Sequence, residues 1–229
     1  MQIDPSIFKA YDIRGVVDKT LTVEAARAVG QALGALALEK HIDTLCVGRD
    51  GRLSGPKLSE ALMEGITDMG VNVKSIGMTP TPVLYFATFL TETGSGVAVT
   101  GSHNPPEYNG LKMMMAKDTL YGEGIQALRT RIEKGIETAQ HKGQIEEIDV
   151  LTPYLSKVLG DVKLERTMKV AIDCGNGVTG PLAMELFKRL GCEVTPLYTE
   201  IDGHFPHHHP DPSKPANFGI KRSEEHTSE

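Results

Sequence analysis

Tryptophan is absent from this chain, and only 5% of its 229 residues are aromatic, so aliphatic side chains must fill its core. The three cysteines, Cys46, Cys174 and Cys192, share no metal-type spacing. In their apolar contexts they read as reduced core residues rather than ligands or bridges. No apolar run approaches about 18 residues, so no membrane span is expected. The opening MQIDPSIFKAYD lacks the basic and apolar blocks of a signal peptide, which makes a cytoplasmic protein the expectation. Positive charge is also short: 24 Lys and Arg against 30 Asp and Glu leave a formal net charge of −6. That argues against nucleic acid or an acidic membrane as partner, since either needs a basic field. A small phosphorylated substrate is not excluded, because a few local cations suffice for it. With 40% hydrophobic residues the length allows one large or two ordinary domains.

The stretch around which the chain is organised is residues 96–115, GVAVTGSHNPPEYNGLKMMM. An apolar run breaks into Gly101-Ser102-His103-Asn104-Pro105-Pro106, and a second apolar run follows. The pattern predicts strand, tight polar loop, strand. Gly101 is expected to take the unusual backbone angles before Ser102, and the two prolines forbid helix at the exit. One hydroxyl is thereby held at the end of a buried strand, where open α/β sheets bind their ligands.

Elsewhere, helical spacing is expected over 22–40 with Thr22 or Thr20 as cap, over 57–69 with Gly70 closing it, over 83–90 and over 122–135. Ile125, Leu128 and Ile132 form the apolar stripe of the last of these. Strands are expected at 44–48 and 71–76, and residues 137–147 read as a polar linker. A helix over 150–159, a strand over 169–173, a helix over 181–190 and a strand over 193–197 then begin a second unit. Strands alternating with helices imply an α/β/α layered domain with a mixed, mostly parallel sheet, followed by an incomplete second domain of similar type.

Ser102 needs help to act as a nucleophile. Its neighbour His103 is expected to diverge from it on an extended loop, and no G-x-S-x-G elbow is present, so a Ser-His-Asp hydrolase ranks low. A phosphorylated Ser102 would carry close to two negative charges and would need cations and a divalent metal nearby. Lys112 opens the returning strand, and Arg14 and either Arg49 or Arg52 end loops that could share the same sheet edge. The plainer readings are a structural turn at Ser102, a self-paired surface turn at Tyr11, Asp12 and Arg14, and a solvated turn with an Asp helix cap at Arg49, Asp50 and Arg52. The Gly-rich run 173–177 is not G-x-G-x-x-G, so a dinucleotide site is a weak reading. His204, His207, His208 and His209 read as a surface loop stiffened by Pro206 and Pro210 ahead of a metal site.

Taken together, KAYDIRG at 9–15, GRDGRLSGP at 48–56, TPTP at 79–82, TGSHNPPEYNGLK at 100–112, DCGNGVTG at 173–180 and HHHPDPSKPAN at 207–217 resemble the α-D-phosphohexomutase family. The wording is that of its phosphomannomutase/phosphoglucomutase branch. The resemblance implies a phosphorylated serine at Ser102 that gives its phosphoryl group to a hexose 1- or 6-phosphate. A bound hexose 1,6-bisphosphate turns over and returns its other phosphate. It also implies catalytic roles for Lys112 and Arg14 in proton handling and charge stabilisation, with Tyr11, His103 and Asn104 as neighbours of the phosphate site. Mg2+ would bind Ser102 through its phosphate, together with three aspartates of a D-G-D-G-D-R loop. Phosphoryl transfer asks for cations, a metal and positioning more than for covalent chemistry, which accords with these residues.

By the same resemblance the D-G-D-G-D-R loop should follow soon after Asn217, and this sequence does not contain it. Residues 1–145 are expected to form the phosphoserine domain and 146–220 a truncated second domain. Residues 221–229 end in RSEEHTSE, one translation of a common short-read sequencing adapter, and are expected to be a non-native tail. The expectation is an isomerase acting on mannose and glucose phosphates, monomeric or dimeric in its parent form, with this fragment alone inactive. A phosphoglucosamine mutase and a phosphosugar-binding module without chemistry are the alternatives.

Overall fold

A computed structural model describes residues 3–215; Asn217 and the tail expected at 221–229 lie outside the described residues. Along the described chain run β1 (Ile13–Val16), α1 (Val23–Glu39), β2 (Thr44–Arg49), α2 (Gly55–Asp68), β3 (Asn72–Met78), α3 (Thr81–Leu90), β4 (Gly96–Val99), β5 (Tyr108–Met115) and β6 (Asp118–Thr119). They continue with α4 (Glu123–Lys134), β7 (Ile145–Glu147), α5 (Leu151–Asp161), β8 (Lys169–Asp173), α6 (Gly180–Arg189) and β9 (Glu193–Leu197). The first seven strands form one sheet in the order β1-β5-β4-β2-β3-β7, with β6 beside β5. β4, β2, β3 and β7 are mutually parallel, and β5 pairs antiparallel with β1, β4 and β6. Every strand but β5 therefore runs the same way, giving the mixed, mostly parallel sheet that the alternating pattern implied.

The central strands β2, β4 and β5 are buried on both faces, and their two-residue alternation sorts the core into two layers. Leu45, Val47, Val97, Val99, Leu111 and Met113 pack with α1, α2 and α4. Cys46 and Ala98 point the other way, to Val83, Leu84 and Ala87 of α3. Helix α1 starts at Thr22, whose hydroxyl accepts from the Ala25 amide at 3.2 Å. The other candidate cap, Thr20, instead accepts from the Val16 amide at 2.9 Å. Helices α1 and α2 meet almost backbone to backbone. A Cβ on Gly30 would strike the Leu62 carbonyl, and one on Gly65 the Arg27 carbonyl.

The expected linker over 137–147 is partly a strand. The Asp68 and Thr67 carbonyls accept from the amides of Ala139 and Gly143 at 2.9 Å each, and Lys142 reaches the Asp68 carboxylate at 2.7 Å. The chain then joins the free edge of β3 as β7, Val73 facing Ile145. Ladder hydrogen bonds need no apolar side chain, and all three β7 residues are exposed, so no hydrophobic pattern marked this strand.

Strands β8 and β9 form a separate parallel pair joined by α6. Helix α5 rests on α3 through Phe86 and Tyr154, edge to face at 5.4 Å. No residue of α5 is fully buried, whereas Val150 just before it belongs to the core beneath α3. Among the described residues no helix is long and apolar enough to cross a membrane.

Candidate functional site

Strand β4 ends at Val99 and delivers Thr100, Gly101 and Ser102 onto the loop above the sheet. The left-handed backbone falls on Ser102 itself, at φ 52°, and not on Gly101 as expected. Such a conformation in a residue with a side chain is held only where its surroundings enforce it. Here the Ser102 amide donates to the Thr100 hydroxyl at 3.0 Å, and both the amide and the side-chain nitrogen of Asn104 donate to the Gly101 carbonyl at 3.0 and 2.8 Å. Asp50, at the end of the adjacent strand β2, accepts from the Thr100 hydroxyl at 2.7 Å and from the Gly101 amide at 3.1 Å.

The expected solvated turn at Arg49, Asp50 and Arg52 is overturned. Arg52 is 1% exposed and lies inside the serine loop. Its Nη1 donates to the carbonyls of Pro105 (2.6 Å) and Tyr108 (3.1 Å), and its Nη2 to those of Ser102 (2.9 Å) and Asn104 (2.6 Å). Its Nε donates to Asp50 at 3.3 Å. Burial lowers the Arg52 pKa from its ordinary value, though Asp50 and Glu107 work against this, and the group stays a cation. Gly101 is required by this arrangement, because a Cβ there would collide with the guanidinium. Asp50 caps no helix, since Ser54 stands before α2 and makes no side-chain cap. Arg52 spends its donors on the loop backbone and Asp50, while Arg49 donates to the neighbouring Asp50 carbonyl at 3.3 Å.

The exposed Ser102 hydroxyl lies 3.4 Å from His103 Nδ1, so the two side chains do not diverge as expected. The left-handed turn at Ser102 removes the alternation an extended loop would have, but the contact is long for a hydroxyl hydrogen bond. Arg14 on β1 reaches the Asn104 side chain at 3.5 Å rather than pairing with Asp12, and so leans on the serine loop. Lys112 on β5 lies opposite Ala98, two residues from Gly110, which faces Arg14; both cations are thus on the sheet face covered by α3. Among the described residues Lys112 makes no hydrogen bond or ion pair. Tyr11 is 78% exposed and makes no hydrogen bond to the serine loop among the described residues.

A cavity of about 290 Å3 opens beside Ser102. Asp50, Thr100 and Ser102 form one wall, and Cys174, Asn176 and Phe205 of the second unit form another. The first residues of α3 and the approach to α6 also face it, and these helix starts carry partial positive charge. Burial, and then the Asp173 carboxylate, push the Cys174 thiol up. The histidine run lies in a loop, as expected, with His204, His207 and His209 exposed, and two of its rings have polar partners. His208 Nε2 lies 3.0 Å from Asp173, and His207 Nδ1 lies 2.8 Å from Asn176 while its ring stacks on Tyr198 at 4.0 Å. Consecutive histidines carry no pattern that tells which will turn inward. Among the described residues no group of three His, Cys, Asp or Glu could hold a metal ion.

A family model described as phosphoglucomutase/phosphomannomutase, alpha/beta/alpha domain I, matches residues 5–142. The chain belongs to the phosphoglucomutase/phosphomannomutase family. The model for domain II of that family matches residues 152–226. A phosphomannomutase/phosphoglucomutase of Pseudomonas aeruginosa is 53% identical over 213 residues, covering 93% of this chain and 46% of that protein. A phosphoglucomutase of Neisseria meningitidis serogroup B is 55% identical with the same coverage. The chain spans about half the length of the curated relatives it matches. The crystal structure of a phosphoglucomutase/phosphomannomutase family protein from Burkholderia thailandensis superposes with a TM-score of 0.93 at 48% identity, over 97% of this chain and 50% of that one. The motif GRDGRLSGP does not disclose the role of Arg52, because a charged turn looks alike whether solvated or buried.

Proposed function

We propose that this chain carries the phosphoryl-bearing serine of an enzyme that interconverts hexose 6-phosphates and hexose 1-phosphates. The observation that carries the reading is an exposed Ser102 hydroxyl on a loop clamped by Asp50 and Arg52, opening on a cavity beside two helix starts. Rigid presentation with cationic surroundings is what phosphoryl transfer needs. The names of the relatives above, phosphoglucomutase and phosphomannomutase, support glucose and mannose phosphates as substrates.

In the proposed cycle the Oγ–P bond of phosphorylated Ser102 breaks as a free hydroxyl of the bound hexose phosphate forms a new O–P bond. Lys112, as its ammonium, gives a proton to the departing Ser102 Oγ and takes up the one released by the hydroxyl, the reverse exchange serving the return step, and Arg14 offsets the charge on the equatorial oxygens. The bisphosphate then returns its other phosphoryl group to Ser102, so phosphate changes position and no water is consumed. Mg2+ would supply further neutralisation at the Ser102 phosphate, but its carboxylate ligands are not among the described residues. Within this chain that work falls to Arg14, Lys112 and the helix starts. Tyr11, His103 and Asn104 are proposed as neighbours of the phosphate, and a division near residue 145 as the boundary between the two units.

Intact-mass measurement of the full-length protein tests this. One added phosphate, absent from Ser102→Ala, with mannose 6-phosphate or glucose 6-phosphate converted to the 1-phosphate, is the expected result. A bare Ser102 in active protein, or full turnover in Ser102→Ala, would overturn it. Glucosamine 6-phosphate as the preferred substrate would move the reading to the phosphoglucosamine enzyme, and binding without turnover to a non-catalytic module.

A further inference from the structure

All five N–H donors of Arg52 are used: four on backbone carbonyls of the serine loop and one on Asp50. A buried cation is costly to place, and here it is spent on the main chain of a single surface loop. The Cζ of the same guanidinium lies over the ring of Phe205, 5.0 Å from its centre, and Phe205 comes from the second α/β unit and lines the cavity. The backbones around this stack are pressed together: a Cβ on Gly51 would meet Ile201, and one on Gly203 would meet the Gly51 carbonyl at 2.9 Å and the Leu53 amide at 2.8 Å. Phe205 itself is held in the left-handed region, at φ 51°.

We propose that Arg52 is the positioning residue of the Ser102 loop, and that Phe205, stacked on it, makes that positioning depend on how the second unit is seated. The planar fork holds the Ser102 carbonyl and those of Asn104, Pro105 and Tyr108 after it, so the left-handed backbone of Ser102 is maintained from inside the loop. Lysine cannot replace it, having three donors on one point instead of five in a plane. Removal of the Phe205 ring leaves every hydrogen bond of the loop in place but uncovers the cation, and water then competes for it. The inference takes its purpose from the reading of Ser102 as phosphoryl carrier, since a loop that opens and closes with the second unit would present the phosphate only when the cavity is formed.

Amide hydrogen exchange on the whole chain tests the proposal, comparing wild type, Arg52→Lys and Phe205→Leu. In Arg52→Lys the Gly101 and Asn104 amides should exchange about tenfold faster or more. In Phe205→Leu the same amides should exchange about threefold faster, with core amides such as Leu45 and Val29 unchanged in both. A merely structural Phe205 would leave the serine loop untouched. The proposal is overturned if Phe205→Leu leaves Gly101 and Asn104 at wild-type rates, or if Arg52→Lys speeds loop and core equally. Should Arg52→Lys fail to fold, Phe205→Leu decides alone. Phosphate uptake from a hexose 1,6-bisphosphate, read by mass on the same samples, separates the two readings. A wild type that stays bare removes the phosphoryl carrier, while the exchange pattern still judges Arg52.

Discussion

Asp50 and Thr100 are joined by a 2.7 Å hydrogen bond across the ends of two parallel strands. The same Thr100 hydroxyl accepts from the Ser102 amide at 3.0 Å, so Asp50 acts on the backbone of Ser102 through one intermediate group. The carboxylate also takes the Gly101 amide and two groups of Arg52, which leaves it fully engaged inside the fold.

Thr100→Val keeps the shape and deletes the relay. It leaves one Asp50 oxygen short of a donor and the Ser102 amide short of an acceptor, at a cost of about 1–3 kcal/mol. Uptake of phosphate by Ser102 should slow about tenfold, read by mass after mixing with a hexose 1,6-bisphosphate, while the far-ultraviolet circular dichroism stays that of wild type. Unchanged uptake would show the relay to be idle.

Gly101→Ala drives a methyl group into the Arg52 guanidinium. A loss of about 2 kcal/mol or more is expected from urea unfolding. The loss should shrink when Arg52 is also changed to Met, because the obstacle has then gone. Strict additivity in the double variant would contradict the contact.

Gly65→Ala tests the close approach of α1 and α2. Its Cβ would meet the Arg27 carbonyl, and backbone cannot swing aside as a side chain can. The expected cost is about 1–3 kcal/mol in denaturant unfolding, although alanine is the better helix former. A stabilised Gly65→Ala chain would disprove the backbone contact.

Asp68 governs the acid limb of stability. Burial would raise its carboxyl, but hydrogen bonds from Lys142, Arg27 and Gln31 outweigh this and hold it below the ordinary 3.8. A depressed folded-state pKa gives stability that is complete above the unfolded value and lost as pH falls through the folded one. Asp68→Asn should therefore cost about 1 kcal/mol near neutrality, a modest figure because Arg27 and Lys142 are largely solvated and screened. The difference should close as the pH falls below about 4. A gap that stayed constant down to pH 2 would contradict it.

Cys174 lines the cavity yet should label slowly. Burial and Asp173 hold its thiol above its ordinary value, so little thiolate exists at pH 8. Alkylation by iodoacetamide at that pH should be slower than that of free cysteine, read by peptide mapping. Faster labelling would show that the thiol is more accessible and more acidic than this structure implies.

Much of the α/β order was legible in the chain. The runs at 44–48 and 96–100 are largely apolar because both faces of those strands are covered, whereas 71–76 carries Asn72, Lys74 and Ser75 on a partly exposed strand. Thr22 opens α1, and Gly122 and Gly135 flank α4. What escaped notice lacked an apolar signature. β7 pairs through its backbone with all its side chains in water, and His208 turns inward, while His207 reaches Asn176 from the surface, out of a run with no periodicity.

The local code of the serine loop was written in its residue types: a hydroxyl, small and turn-forming neighbours, and prolines that bar helix. Those choices act over a few residues, so they can be read in line. The placement of Arg52 could not be read that way, because its charge looks solvated in a sequence and is buried only when β2 lies beside β4. Asp50, Arg52 and Phe205 meet Ser102 from about fifty and a hundred residues away, and such contacts exist only once the sheet order has brought those strand ends together.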